Sequence, residues 1–199
     1  MSDKQTLIQA LGEAIIPLLG FFFFDWGLYF ILIFYFIDLL VTEFFLHLKI
    51  RKIVRYRFNE NNKKEWLKKG ALSFALMLLL IISTHLAVLF IDPKIDFYNE
   101  FKEFVLYEEA GIPIPQGIIL LPLVVLGNFQ QYRMFFIFPA KFRALYISQL
   151  FNLRKKALLL GVAGAGFTIA FSYLLNLPEV IYLLLLIISK FFVDLKMRI

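Results

Sequence analysis

Residues 28–49 read LYFILIFYFIDLLVTEFFLHLK, a run long and apolar enough to cross a bilayer that carries Asp38 at its middle and Glu43 and His47 further along. At a helix centre each Leu, Ile, Phe or Val contributes about −0.3 to −0.6 kcal/mol to insertion, while a central Asp costs about 2.5 to 3.5 kcal/mol. The fourteen such apolar residues between Tyr29 and Leu48 can therefore carry the acids in. The acids cannot face lipid cheaply, and at about 100° per residue Glu43 lies about 140° around the helix from Asp38. Polar groups on two flanks need partners on two flanks. This helix is expected at the centre of a bundle rather than at its rim.

The rest of the chain has the same character. It is 61% hydrophobic over 199 residues, with 25 Phe and a mean hydropathy of +0.78, far above the apolar share of a soluble domain. The fold class is all-α: a polytopic integral membrane protein forming one membrane domain over residues 1–199. The first apolar segment has a weak basic start, an internal Glu13 and no small-x-small site before Asp25-Trp26-Gly27, so it is expected to be retained rather than cleaved. The absence of Cys removes disulfides, thiol catalysis and thiolate metal sites.

Six membrane helices are predicted, at about 7–24, 28–49, 70–91, 117–138, 157–175 and 179–196. Pro17 interrupts the first and Pro122 the fourth, each freeing a carbonyl that neighbours must satisfy. Trp26 and Trp66 are expected as interface anchors. Residues 92–116 form a hydrophilic loop in which Phe97, Tyr98, Phe101, Phe104 and Val105 recur at helical spacing, the pattern of a short amphipathic helix lying on the membrane. Ala157, Gly161, Gly164 and Ala165 are small residues that let the fifth helix approach a neighbour closely. The Gly-rich run around Gly164 sits inside an apolar helix and lacks the strand and water of a phosphate cradle.

Charge sets the expected orientation. Nine Lys and Arg fall between Lys49 and Lys69 and six between Arg133 and Lys156, whereas only Lys94 and Lys102 share the loop holding the six acids from Asp92 to Glu109. By the positive-inside rule both termini and both basic loops are cytoplasmic. The net charge of +6 then reports topology and contact with anionic lipid, and no nucleic acid is expected as a partner.

Depth counted at about 1.5 Å per residue brings four polar residues into one layer. Glu13 lies roughly 18 Å from Asp25, Asp38 about 16 Å from Gly27, and Asn128 and Lys190 also fall near 18 Å. Left without partners, two acids and a Lys at that depth would cost on the order of 9 kcal/mol, so they are expected to converge inward. Lys190 has two other options: snorkelling to nearby headgroups, or pairing with Asp194 at i+4. Asp38 has a short side chain and nowhere to snorkel, which makes it a candidate functional residue by default. Glu43 and His47, at i and i+4, are expected to form an intrahelical pair near the inner surface, where Arg133 would anchor its own helix.

Metal, cofactor and enzyme readings find little support. His47 and His85 differ in depth by roughly 20 Å, so they cannot share one metal ion. His85, beside Ser83 and Thr84, is expected to be a satisfied interhelical hydrogen-bonding group. No G-x-S-x-G or H-E-x-x-H motif is present, so no catalytic residue, metal or cofactor is expected.

Three segments carry a resemblance. Ile16-Pro17-Leu18-Leu19-Gly20 followed by Trp26, the aromatic Tyr35-Phe36-Ile37-Asp38, and the ending from Leu184 through Lys190 to Asp194-Leu195-Lys196 together resemble a bacterial family of small polytopic membrane proteins, catalogued as domain of unknown function 6498. That family more usually shows Tyr-Trp-x-Glu at the second segment. The resemblance covers about a third of the chain, implies location in a bacterial inner membrane, and brings no activity with it.

Two functions fit these readings. One is a proton- or ion-coupled transporter or channel in which Glu13, Asp38 and Lys190 line a hydrated path. The other is a non-catalytic structural or assembly subunit whose buried charges fix helix register, with a homodimer or partner membrane subunits as its company.

Overall fold

The computed structural model describes residues 3–24, 26–57, 60–106, 116–175 and 177–197. Asp25 and Asn176 of the two tight turns, and residues 107–115 of the acidic loop, lie outside the described residues. Among those described the chain is wholly helical, without strands. The helices are α1 (Asp3–Phe23), α2 (Leu28–Tyr56), α3 (Glu60–Ile91), α4 (Phe97–Leu106), α5 (Gln116–Gln131), α6 (Ile147–Leu174) and α7 (Glu179–Met197). A π-helical segment, Tyr132–Ile137, continues α5, with the Phe138 amide bonding back to the Arg133 carbonyl at 2.9 Å. Pro17 and Pro122 lie inside α1 and α5, both assigned as single helices.

Three helices, Leu28–Tyr56, Asn61–Ile91 and Ile147–Leu174, are long and apolar enough to cross a membrane. They run well past the bounds that hydropathy predicts. The predicted end at 49 moves to Tyr56, and the predicted starts at 70 and 157 move to Glu60 and Ile147. The added turns are rich in Lys and Arg, good helix formers whose charge makes them read as loop by hydropathy.

Helix α2 is the centre of the molecule. It packs against α3, α4, α5, α6 and α7, and 56% of its apolar window is buried, against 17% for α3 and 11% for α6. The contacts fix directions. Glu43 meets Ser73 while Tyr29 meets His85, so α2 and α3 are antiparallel. Leu28 meets Glu179 and Asp38 meets Lys190, so α2 and α7 are parallel. Helices α3 and α6 form the most extensive pair, with Gly161 against Leu80 and Gly70 near Phe151, a parallel alignment.

Close approach at that pair depends on missing atoms. A Cβ on Gly161 would stand 2.9 Å from Leu80 Cδ1; Ala165, one turn on, is buried, whereas Gly164 faces open space. The seam is therefore Gly161 and Ala165, with Gly164 outside it. At the start of α2 the indole of Trp26 lies across Gly20, where an added Cβ would be 1.9 Å from Trp26 Cε3. The amides of Phe24 and Trp26 both bond to the Gly20 carbonyl, at 3.0 and 3.1 Å, folding the turn onto its own helix. Trp26 is thus a buried core residue, not the interface anchor its position suggests. It joins Phe30, Phe34, Ile31, Leu183 and Ile187 in one apolar cluster, while Ile50, Ile53, Phe136, Leu150 and Phe151 form a second at the opposite end. Helix α4 closes the first cluster: Phe104 is buried against Phe30, leaving Tyr98 and Phe101 exposed.

Candidate functional site

One contact sets the height of α7 against α2. The Leu28 amide, free at the first turn of α2, donates to Glu179 Oε1 at 2.7 Å. Asp38 lies ten residues on from Leu28 and Lys190 eleven on from Glu179. At about 1.5 Å per residue both reach roughly the same level, 15 to 17 Å from that anchor. There Lys190 Nζ lies 3.0 Å from Asp38 Oδ2, 2.5 Å from Asp194 Oδ2 and 4.0 Å from Glu13 Oε2. Three carboxyls from α1, α2 and α7 thus share one ammonium. The i+4 pairing with Asp194 and the interhelical cluster, alternatives from spacing alone, occur together.

Helix α5 supplies the remaining donors. Asn128, itself buried, donates through Nδ2 to Asp38 Oδ1 at 3.2 Å and to the Val124 carbonyl at 3.1 Å, and its Oδ1 accepts from Thr42 at 3.3 Å. Gln131 donates to Glu13 Oε1 at 3.3 Å. With every group ionised, three carboxylates and one ammonium leave a formal charge of −2. The Glu13 and Lys190 side chains retain 27% and 24% of their exposure, so the cluster is open on one flank. Above it Lys190 Nζ lies 5.7 Å from the centre of the Tyr35 ring. The Tyr35 hydroxyl is buried with no hydrogen-bond partner among the described residues, the sort of orphan that ordered water or an ion satisfies.

A second polar cluster lies toward the other end of α2. Glu43 is buried, and its Oε2 accepts from Arg154 Nε of α6 at 2.8 Å while its Oε1 accepts from the Ser73 hydroxyl of α3 at 2.7 Å. Arg154 also donates to the Leu39 carbonyl at 3.1 Å. His47 Nε2 stands 3.6 Å from Glu43 Oε1, longer than either bond. The Trp66 indole donates to His47 Nδ1 at 2.8 Å, so in the neutral ring the proton sits on Nε2, facing Glu43. Sequence spacing finds the Glu43–His47 pair but misses Ser73 and Arg154.

His85 belongs to neither cluster. Its Nδ1 lies 2.7 Å from the Ile81 carbonyl, which can only accept, so Nδ1 carries the proton and the Tyr29 hydroxyl, 2.9 Å away, donates to Nε2. The ring stacks on Phe36 at 5.1 Å and meets Phe97 at 5.2 Å. Arg133 is exposed, between the rings of Phe129 and Phe138. Among the described residues no group of three His, Asp or Glu side chains is arranged to hold a metal ion.

The chemistry available is electrostatic. In the central cluster, amides hold two of the carboxylates in place beside the single ammonium. Compared with protein-family models, with curated proteins and with solved structures, this chain finds no match.

Proposed function

We propose that this is a bacterial inner-membrane protein of six spans with both termini cytoplasmic, and that its central Glu13, Asp38, Lys190 and Asp194 cluster handles protons or small cations across the bilayer. The observation that carries the reading is three carboxyls converging on one ammonium at mid-helix depth, with a formal excess of two negative charges. A buried excess of that kind favours uptake of protons or a cation. The open flank at Glu13 and Lys190 supports a water-filled approach, since charged groups at this depth do not face lipid. The antiparallel α2 and α3, the parallel α2 and α7 and the Lys/Arg distribution support the six-span topology. The resemblance to the domain of unknown function 6498 family supports the membrane location alone and brings no activity.

A second reading, a structural or assembly subunit, is favoured by one specific observation: Asp38 and Glu13 already accept from Asn128 and Gln131 as well as facing Lys190. Flux measurements separate the two. In liposomes holding a pH-sensitive dye, wild-type protein under an imposed proton or sodium gradient is expected to carry flux that Asp38→Asn abolishes while the fold is kept. A single Thr42→Cys in this cysteine-free chain should then label with a small impermeant thiol reagent from one side. Absence of flux together with an unlabelled, folded Thr42→Cys protein would establish the structural reading instead.

A further inference from the structure

At the end of α2 opposite Trp26, three cations gather around two aromatic rings. The Arg57 guanidinium lies 4.4 Å from the Tyr146 ring and donates to the Arg143 carbonyl. Arg143 and Lys52 both lie over the Phe142 ring, at 5.9 and 5.2 Å. Phe142 is held in turn by Tyr56 at 5.4 Å and Phe136 at 6.3 Å, the second of these fully buried, so the platform is anchored in the core. Among the described residues no carboxylate lies within 4 Å of Lys52, Arg57 or Arg143. Elsewhere Lys69 meets Glu65, Arg154 meets Glu43 and Lys190 meets three acids. Tyr146 is also the N-cap of α6, a 28-residue helix: its carbonyl accepts from the Gln149 and Leu150 amides, and its own amide donates to Gln149 Oε1 at 2.9 Å.

Like charges packed together repel, and this arrangement holds them rather than splaying them apart. Contact with the Tyr146 ring and one bond to a carbonyl hold the Arg57 guanidinium, which has five N–H donors in all. A positive helix end beside them favours the same ligand charge.

We propose that Arg57, Arg143 and Lys52, with the first turn of α6, form a binding site for the phosphodiester headgroup of an anionic lipid. A lipid is favoured over free phosphate because aromatic surface at the site is exposed: Tyr56 at 53%, beside Phe142, and Tyr146 at 58%, beside Arg57, offer contact to acyl chains and glycerol. The site rests on reading this end of the bundle as lying at headgroup level, and on nothing about transport by the central cluster.

The test uses the full chain in neutral detergent, with the thermal unfolding midpoint followed as phosphatidylglycerol, phosphatidylcholine or inorganic phosphate is added. Phosphatidylglycerol is expected to raise the midpoint saturably, phosphatidylcholine and inorganic phosphate not. The Arg57→Gln/Arg143→Gln double variant should need about tenfold more phosphatidylglycerol for the same rise. A control pair, Lys63→Gln/Lys64→Gln, removes equal charge from the exposed start of α3 and should leave the titration unchanged. Equal weakening by both pairs would reduce the site to diffuse surface charge, and equal stabilisation by inorganic phosphate would replace the lipid with a free anion. Either result overturns the proposal.

Discussion

Replacing Arg154 by Met removes a charge that Glu43 depends on, and the structure sets the size of the loss. At a charge separation of about 4 Å and an effective dielectric constant of about 20, the gross attraction is about 4 kcal/mol. Arg154 makes two interhelical bonds, to Glu43 at 2.8 Å and to the Leu39 carbonyl at 3.1 Å. Such bonds average about 0.6 kcal/mol in membrane helices, which gives a floor near 1 kcal/mol. The ceiling is the 3–5 kcal/mol typical of stranding a buried charge. Ser73 and His47 remain to hold Glu43, so the expected loss is about 2–3 kcal/mol. Glu43→Gln alone should cost a similar amount, but the double variant should cost less than the two together by at least about 1.5 kcal/mol, because no charge is left stranded. Lysine at position 154 should recover part of the loss only, since one ammonium cannot repeat the fork that reaches both Glu43 and Leu39. Unfolding by dodecyl sulfate in mixed micelles measures this, with Trp66 fluorescence reporting locally through its bond to His47. Strict additivity, or a loss below about 0.5 kcal/mol for Arg154→Met, would refute the buried pair.

Two further outcomes are expected. Gly20→Ala drives a Cβ into the Trp26 ring and should cost about 1–3 kcal/mol with a shift in Trp26 emission, whereas Gly12→Ala, mid-helix with nothing within 4 Å, should gain up to about 1 kcal/mol and leave the emission unchanged; matched melting curves and spectra check both. On α4, burial first and then the charges of Glu103, Glu179, Asp92 and Asp96 hold the Glu100 carboxyl above its ordinary range. A carboxyl raised by folding destabilises the protein while ionised and ceases to do so as pH falls through its folded value. Glu100→Gln should therefore be more stable than wild type at pH 7, and the difference should shrink as the pH is lowered toward 4.5.

Much of the central cluster could be read from the sequence because helix rise is nearly invariant. Counting residues from the turns put Glu13, Asp38, Asn128 and Lys190 at one depth, and these four do meet. The same arithmetic could not choose a single partner for Lys190, which lies within 4.0 Å of three acids. Arg154 was hidden for a different reason. With Lys155 and Lys156 it reads as loop, because hydropathy registers charge and ignores the helix propensity that starts α6 at Ile147. Trp26 misled because an aromatic beside a turn fits an interface anchor equally well; only the gap left by Gly20 sends it inward. Tyr29, the partner of His85, gave no signal, since one hydroxyl on an aromatic helix has no period.

The pairing of Glu43 with Arg154 spans 111 residues of chain, and that distance is also a delay. At roughly 5–20 residues per second of synthesis, α2 exists for on the order of ten seconds before α6 emerges to meet it. Asp38 waits longer, because α7 follows α6 in the chain. During that interval neither Arg154 nor Lys190 has been made, so the acids of nascent α2 depend on local groups, protonation, water or insertion machinery. The order of synthesis therefore sets the order in which the charges of this protein are matched: α2 has its interhelical ion pairs only once α6 and α7 have followed it.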